Sequence, residues 1–111
     1  MKVSIITACF NSETTIKKTI ESVKNQSYKH IEHIIQDGGS SDNTIKIIQE
    51  NINENIFFQS EDDNGIYDGI NKGILRAKGE IIGLLHADDL LASDKVIANI
   101  VNEFKNNYID A

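Results

Sequence analysis

Short apolar runs alternate with amphipathic segments along the chain. Four runs rich in β-branched and other apolar residues have the length expected of buried strands, and they cover residues 3–8, 31–36, 56–59 and 80–86. The segment after each run repeats apolar residues at intervals of three and four, which predicts a helix after every strand. The pattern therefore predicts four strand–helix units in succession.

The first two predicted helices have polar residues that suit a helix start. Ser12 is expected to cap the first helix, which runs to about residue 26, with Glu13 in its first turn. Ser40 or Ser41 is expected to cap the second, with Asp42 in its first turn. The apolar positions of these two helices are expected to face the core: Ile16, Ile20, Val23, Ile45, Ile48 and Ile52.

The third predicted helix, over residues 65–78, is unusual because it contains three glycines, at positions 65, 69 and 73. Each glycine costs about 1 kcal/mol of helix propensity relative to alanine. Close backbone approach or a bound ligand would explain them, and a frayed first turn is the alternative. Gly79 is expected to end this helix, and a fourth helix is expected over residues 93–106. The apolar faces predicted for these two helices are Ile66, Ile70, Ile74, Val96, Ile97, Ile100, Val101 and Phe104.

Strands that alternate with helices of this length form right-handed crossovers and a mostly parallel sheet. The predicted fold class is therefore α/β, a Rossmann-like sheet with helices on both faces. The chain has 111 residues, contains no proline, and shows neither a repeat nor a Gly/Ser-rich linker. These features predict a single domain.

A polar cluster follows each predicted strand. The four clusters cover residues 7–11, 37–42, 61–65 and 86–89. Because ligands of open parallel sheets bind beyond the carboxyl ends of the strands, we expect all four clusters to share one edge of the sheet. The sequence therefore predicts a polar ligand site at that edge.

Two of these clusters contain residues suited to bind a metal ion or another ligand. Asp88 and Asp89 directly follow an apolar strand, where oxygen ligands suit Mg²⁺ or Mn²⁺. The alternative is that they are loop or capping residues for the next helix. The glycines and serines of segment 37–42 would let backbone approach a ligand, although an ordinary turn with good capping residues has the same composition.

Composition and missing motifs narrow the function classes. The net charge of −6 disfavours a nucleic-acid partner, whereas a divalent cation would still let an acidic site hold a diphosphate. A single cysteine excludes an internal disulfide, and Cys9 is expected to fill space rather than to act as a nucleophile. Neither G-x-G-x-x-G after the first strand nor G-x-x-x-x-G-K-[ST] occurs, which disfavours NAD or FAD and excludes a Walker-type NTPase.

No apolar run approaches the roughly 20 residues that cross a bilayer, and the first residues do not form a signal peptide. The expected location is therefore cytoplasmic, and a peripheral position at the inner face of the membrane is also consistent with this.

Four segments carry a resemblance: 3–11, 36–44, 60–73 and 79–89. In this order and spacing they closely resemble family 2 glycosyltransferases of the GT-A fold, of the bacterial branch that builds surface polysaccharide. Members of that branch often carry G-I-Y-D-A-M-N-K-G, and here Gly69 and Ile70 stand at its alanine and methionine. The D-x-D signature of the family falls on residues 86–89, with His86 at its leading position.

The resemblance implies a nucleotide-sugar site, with a UDP-sugar as the commonest donor of the family. It assigns the nucleotide to a set of six residues: Thr7, Ala8, Cys9, Asn11, Asp37 and Asp88. It assigns the metal, Mg²⁺ or Mn²⁺, to Asp89, with Asp88 as a second candidate ligand. Asp68 and Lys72 are expected near the donor sugar.

The resemblance also implies an inverting transfer to a carbohydrate or lipid-linked sugar acceptor, with a carboxylate base that deprotonates the acceptor hydroxyl. In the family this base belongs to a later segment, so it is expected beyond Ala111. Residues 1–111 would then be the nucleotide-sugar-binding portion of a GT-A domain, truncated before the acceptor-binding half. Such a chain is expected to transfer sugar slowly or not at all.

Two other function classes stay open at this point. A receiver-like signalling domain shares the size, acidity and α/β order, but it would place its acidic pair after the first strand, where this chain has Cys9, Phe10 and Asn11. A non-catalytic nucleotide-sugar-binding module would have the same donor pocket as the transferase. Exposed sheet edges or apolar surface would also allow pairing with a second copy of the chain.

Overall fold

The computed structural model of the protein describes residues 1–108. Strands and helices alternate as the hydrophobic pattern predicts. The eight elements are β1 (Val3–Cys9), α1 (Ile16–Lys24), β2 (Ile31–Asp37), α2 (Thr44–Glu50), β3 (Ile56–Ser60), α3 (Ile66–Arg76), β4 (Ile81–Leu84) and α4 (Val96–Tyr108).

The four strands form one parallel sheet in the order β3-β2-β1-β4. Cys9 of β1 pairs with Asp37 of β2, which in turn pairs with Ser60 of β3, so these strands end at the same level. The chain steps outward from β1 to β3 and then returns to the other side of β1 for β4. This reversal makes the crevice between β1 and β4 a topological switch point, where ligands of such sheets bind.

Helices cover both faces of the sheet, as predicted. Two apolar clusters pack one face against α1, α2 and α4, through residues such as Ile20, Ile48 and Ile97. The opposite face carries α3, whose Gly73 lies over Ile6 of β1. The predicted α/β class is therefore confirmed.

The buried face of α3 differs from the prediction. Ile66 and Ile74 are exposed, whereas Gly69 and Gly73 are buried against the sheet. A Cβ atom on Gly73 would lie 2.5 Å from Cγ2 of Ile6, and one on Gly69 would lie 3.2 Å from Cβ of Ala8. The glycines therefore serve the close backbone approach expected of them, and the surface approached is β1.

The helix starts and one helix end also differ from the prediction. Ser12, Ser40 and Ser41 do not cap helices, because α1 begins after Thr15 and α2 after Asn43. The hydroxyls of Ser40 and Ser41 instead contact Asn11 in the loop after β1, and the hydroxyl of Ser12 donates to the carbonyl of Phe10 in its own loop. Helix α3 ends at Arg76, and Gly79 donates its backbone N–H to Ser4 Oγ of β1 at 2.8 Å.

Three further apolar residues predicted to face the core are exposed, in addition to Ile66 and Ile74 of α3. Ile52 lies beyond the end of α2, and Ile100 and Phe104 of α4 are 39% and 38% exposed, whereas Ile97 and Val101 are buried. The core-facing stripe of α4 is thus narrower than its periodicity predicts. Within residues 1–108, none of the helices is long and apolar enough to cross a membrane.

Candidate functional site

A cleft of about 860 Å³ opens at the carboxyl edge of the sheet. Its lining comes from all four loops that follow the strands, including Asn11 after β1, Gly38 after β2, Asp63 after β3 and Asp88 after β4. The expectation that the four polar clusters share one edge is therefore confirmed. Most of the lining belongs to the loops after β1 and β4, which flank the switch point.

Asp37, at the end of β2, organises the loop that follows it. Its Oδ2 accepts hydrogen bonds from the backbone N–H groups of Gly39 and Ser40, at 3.0 and 2.9 Å, and from Ser60 Oγ at 2.8 Å. Its Oδ1 accepts from Ser40 Oγ at 2.5 Å and from the Cys9 thiol at 3.4 Å. Burial alone would raise the pKa of Asp37, but these hydrogen bonds outweigh it and hold the pKa below its usual value.

Asn11 joins the loop after β1 to the loop after β2. Its backbone N–H donates to Ser40 Oγ at 2.8 Å, and its Oδ1 accepts from the backbone N–H of Ser41 at 2.9 Å. The φ angle of Asn11 is +47°, a left-handed conformation that asparagine adopts more readily than most residues. We call residues 8–11 and 37–41 together the β1–β2 wall of the cleft.

The part of the β1–β2 wall at the bottom of the cleft, which we call its floor, is apolar and neutral. Ala8 and Cys9 line the cleft and are almost fully buried. Burial raises the pKa of the Cys9 thiol far above its usual value, and the neighbouring Asp37 carboxylate raises it further. The thiol is thus protonated at neutral pH, in agreement with the prediction that it is not a nucleophile.

Thr7 lies in the core instead of lining the cleft. Its side chain is fully buried, and its Oγ1 lies 2.9 Å from Nε2 of the buried His33. Burial lowers the pKa of His33 to about 4, so the imidazole is neutral at physiological pH. The Thr7–His33 pair therefore supports the floor of the β1–β2 wall from below.

The predicted acidic pair lies in a stretch without helix or strand, residues 85–95, which we call the acidic segment. Asp88 is exposed and lines the cleft, together with His86 and Ala87. Asp89 is exposed too, and its backbone N–H closes a turn by donating to the carbonyl of His86 at 3.0 Å. Of the two acidic residues, Asp88 lines the cleft and Asp89 does not.

A divalent metal fits this arrangement in one way. Within residues 1–108, no group of three or more histidine, cysteine, aspartate or glutamate side chains could hold a metal by itself. Mg²⁺ sites in nucleotide enzymes commonly use one or two carboxylates and complete their shell with water and substrate phosphates. Asp88 at the cleft, with Asp89 beside it, fits such a site and does not fit an all-protein metal cage.

Asp68 and Lys72 lie on α3 and form an ion pair with each other, with Nζ and Oδ2 3.4 Å apart. The backbone N–H of Asn64 donates to Asp68 and, with Lys72, holds its pKa below the usual value. Neither side chain lines the cleft. The helix reaches the cleft with Gly65 and Ile66, at its first turn.

Two of the lining residues, Phe10 and Asp63, belong to the predicted polar clusters but received no role of their own from the sequence. Phe10 is 59% exposed and lines the cleft, which is unusual for a phenylalanine that follows a buried strand. Asp63 lines the cleft between two glycines: its Oδ1 accepts from Gly65 N–H at 3.0 Å, and a Cβ on Gly38 would lie 2.8 Å from its Oδ2. An apolar aromatic at the end of a strand was the available signal for Phe10, whereas Asp63 looked like any acidic loop residue.

Comparison with known proteins covers nearly the whole chain. The family described as glycosyl transferase family 2 matches residues 4–111. An uncharacterized glycosyltransferase of Mycobacterium tuberculosis is 38% identical over 100 residues, which cover 89% of this chain. A poly-beta-1,6-N-acetyl-D-glucosamine synthase of Staphylococcus epidermidis is 34% identical over 107 residues, or 95% of this chain. The matched parts are only 38% and 26% of those two relatives.

Solved structures share the fold. TarS 1–349 of S. aureus, in complex with UDP-GlcNAc, superimposes with a TM-score of 0.91 at 22% identity, over 97% of this chain and 32% of that one. A mannosyltransferase from Pyrobaculum calidifontis, in complex with GDP-Man and Mn²⁺, gives a TM-score of 0.84 at 21% identity, over 93% and 32% of the two chains. At this identity the likeness establishes a common architecture, the GT-A fold.

Proposed function

Because the chain belongs to glycosyl transferase family 2, we propose that it is the donor-binding part of an inverting glycosyltransferase that uses a nucleoside diphosphate sugar. The proposed pathway is bacterial cell-surface polysaccharide synthesis, which the similarity to the poly-beta-1,6-N-acetyl-D-glucosamine synthase of S. epidermidis supports. In this proposal residues 1–111 carry the donor and metal site, and the catalytic base and acceptor site belong to sequence beyond Ala111.

One observation supports the proposal most directly. A single cleft of about 860 Å³ is lined by three nucleotide candidates, Ala8 and Cys9 at the end of β1 and Asn11 just after it, and by one metal candidate after β4, Asp88. Binding of a nucleoside diphosphate needs an apolar surface for the base and a cationic partner for the diphosphate. A cleft with an apolar floor at one side and a carboxylate at the other suits a nucleotide that brings its own divalent cation.

For the base we propose the β1–β2 wall. Ala8 and Cys9 would form its floor, the exposed ring of Phe10 offers a surface for stacking, and Asn11 and Asp37 hold the wall in shape. Thr7 is buried beneath the cleft, so it would help to hold the wall in shape through its contact with His33 and would not touch the base. UDP is the proposed nucleotide, since the TarS structure of the same fold was solved with UDP-GlcNAc.

For the diphosphate we propose Asp88 as the principal carboxylate toward Mg²⁺ or Mn²⁺, with Asp89 as its neighbour. The mannosyltransferase of the same fold was solved with Mn²⁺, which supports a divalent cation without choosing between the two metals. A bound metal would neutralise the negative charge that develops on the leaving nucleoside diphosphate. The task of this chain's residues is then to hold the donor with its anomeric carbon accessible to an acceptor hydroxyl.

Asp68 and Lys72 would act near the donor sugar from the first turns of α3. Their ion pair leaves both side chains partly exposed, beside the part of the helix that reaches the cleft. The acceptor is proposed to be a carbohydrate or lipid-linked sugar. It would receive the sugar with inversion once a base has removed the proton from its hydroxyl.

Titration calorimetry of UDP into the 111-residue chain tests the proposal. We expect binding with Mn²⁺ present and much weaker binding after chelation with EDTA. Asp88→Ala should remove the gain from Mn²⁺, whereas Lys105→Ala, a surface change on α4 in the exposed part of that helix, should not. Failure of UDP, GDP and dTDP to bind with either metal would refute the donor site.

A further inference from the structure

Helix α1 carries a polar stripe on its inner side. Thr19, Ser22 and Gln26, spaced three and four residues apart, extend from α1 to just beyond its end and face the acidic segment. Thr19 and Gln26 are almost completely buried. A buried polar side chain lowers stability unless it is hydrogen-bonded, so a stripe of them needs a partner.

The partner of the stripe is the backbone that carries the acidic pair. Thr19 Oγ1 lies 2.9 Å from the carbonyl oxygen of Ala87, 2.7 Å from that of Asp89 and 3.4 Å from that of Thr15 in its own helix. Its single proton is shared among these acceptors, and the two shorter contacts are those to the acidic segment. Further along the stripe, Ser22 Oγ accepts from the backbone N–H of Leu91 at 3.3 Å.

Gln26 completes the set at the far end of the acidic segment. Its Nε2 donates to the carbonyl of Ser93 at 2.7 Å, and its Oε1 accepts from the backbone N–H of Ile97 in the first turn of α4 at 3.1 Å. The backbone N–H of Ser27 also donates to the carbonyl of Asp94, at 2.7 Å. Because residues 85–95 form neither helix nor strand, these contacts take the place of regular hydrogen bonding.

Thr19 holds a special position among these contacts. The two carbonyls it binds belong to the peptide units Ala87–Asp88 and Asp89–Leu90, so one hydroxyl holds the backbone on both sides of the Asp88–Asp89 pair. An exposed side chain can be aimed precisely only if its backbone is held. Within residues 1–108 the Asp88 carboxylate itself has no hydrogen bond or ion pair that would aim it.

We propose that Thr19 is a positioning residue for the donor site: through the carbonyls of Ala87 and Asp89 it presents the Asp88 carboxylate to the cation on the diphosphate. This inference rests on the proposed function, since it assumes that Asp88 meets a metal-bound nucleotide. Thr19 lies outside the cleft lining, so in this proposal it would act on the nucleotide and the metal only through the backbone of the acidic segment.

Two variants distinguish this positioning role from a general contribution of Thr19 to the stability of the fold. Thr19→Val keeps the shape and removes the hydroxyl, and Thr19→Ser keeps the hydroxyl. We expect Thr19→Val to weaken Mn²⁺-supported UDP binding about tenfold, the effect of losing one or two hydrogen bonds, and to leave UDP binding in EDTA unchanged. Thr19→Ser should retain most of the Mn²⁺-supported affinity.

Ile34→Val is the matched control, because Ile34 is buried in β2 on the opposite face of the sheet from α1. Its neighbour Ile35 packs against α1, and successive side chains of a strand point to opposite faces, so Ile34 faces α3. It should lower stability without changing the ratio of UDP affinities with and without Mn²⁺. If Thr19→Val lowers both affinities equally, or if Ile34→Val changes the ratio as much, the positioning role is refuted.

Hydrogen exchange of the ligand-free chain tests the same contacts without any nucleotide. Thr19→Val should speed amide exchange at Asp89 and Leu91 by about tenfold, and neither Thr19→Ser nor Ile34→Val should do so. Unchanged exchange in Thr19→Val would overturn the inference even if UDP binds. Faster exchange in a chain that binds no nucleotide would refute the proposed donor site and leave the anchoring of the acidic segment by Thr19 established.

Discussion

The two sides of the cleft are built on opposite plans. In the β1–β2 wall the functional candidates bind one another: Asp37 accepts five hydrogen bonds, and Asn11 links two loops. In the acidic segment the side chains of Asp88 and Asp89 are exposed and make no hydrogen bond or ion pair within residues 1–108, and only their backbone is held, by side chains of α1. One side is thus complete before a ligand arrives, whereas the other offers free carboxylates on a fixed backbone.

The difference teaches how each side should respond to mutation. A change in the β1–β2 wall removes bonds that already exist in the free protein, so it should appear in stability. A change of an acidic side chain removes only bonds that form with the ligand, so it should appear in binding. The predictions below test this contrast, in order of decreasing effect on the free energy of unfolding.

Asp37→Ala should give the largest loss. The substitution leaves the backbone N–H groups of Gly39 and Ser40 without their acceptor, and an unsatisfied donor costs about 1–3 kcal/mol. We expect urea denaturation to show a loss of about 2–4 kcal/mol. Asp42→Ala, at a more exposed carboxylate of the same loop that also accepts several hydrogen bonds, should cost less. Equal losses would mean that the burial of Asp37 is not what matters.

Acid should lower the free energy of unfolding, because it protonates His33, which is buried beneath the β1–β2 wall. His33 titrates near 4 in the folded protein and near 6.5 when unfolded, so the unfolded chain binds its proton first. Stability is therefore complete above pH 6.5 and falls as the pH drops toward 4. Between pH 7.5 and 4.5 this single group should remove about 2–3 kcal/mol from the free energy of unfolding.

The measurement is urea denaturation at both pH values, in wild type and in His33→Gln, which has no group titrating in this range. Surface carboxylates titrate similarly in the two proteins, so the difference between them isolates the imidazole. A pH dependence that is the same in both would show that His33 is not the neutral buried group described here.

The strands and the shared edge could be predicted from the sequence because their signals are local. Runs such as 3–8 and 31–36 are apolar enough to require burial, and parallel pairing then gathers the loops that follow them. The packing of α3 could not be predicted in this way. The spacing of hydrophobic residues predicts that Ile66 and Ile74 are buried and takes no account of glycines. The buried positions of α3 are nevertheless Gly69 and Gly73.

The finer structure of the site depends on contacts between distant residues. Ser12 and Ser40 look like helix caps in the sequence, but Ser40 bonds to Asp37 and Asn11. Thr19 looks like a neutral residue in the middle of a helix, and its partners lie 68 and 70 residues away. Local patterns contain no information about such pairs, so sequence reasoning found the acidic pair and missed the residue that holds it.

Asn11 should show a smaller effect than Asp37, and its two contributions can be separated. Asn11→Gly loses the bond to Ser41 but fits φ of +47°, whereas Asn11→Ala loses the bond and must also adopt a left-handed backbone. Because that conformation costs about 1–2 kcal/mol for residues with an ordinary Cβ, the alanine variant should be less stable than the glycine variant by about 1 kcal/mol. Thermal and urea denaturation of the two variants check this, and an alanine variant as stable as the glycine one would contradict the assigned backbone.

Asp88→Asn should have the smallest effect on stability and a clear effect on binding. The side chain is exposed and makes no bond within residues 1–108 that the amide would lose, so the free energy of unfolding should change by less than about 0.5 kcal/mol. The amide is a poorer ligand for a hard cation than a carboxylate, so the gain in UDP affinity from Mn²⁺ should largely disappear. Asp89→Asn, outside the cleft lining, should retain more of that gain. If Asp89→Asn instead abolishes it and Asp88→Asn does not, the metal belongs to Asp89, and the acidic segment must turn its second carboxylate inward when the donor binds.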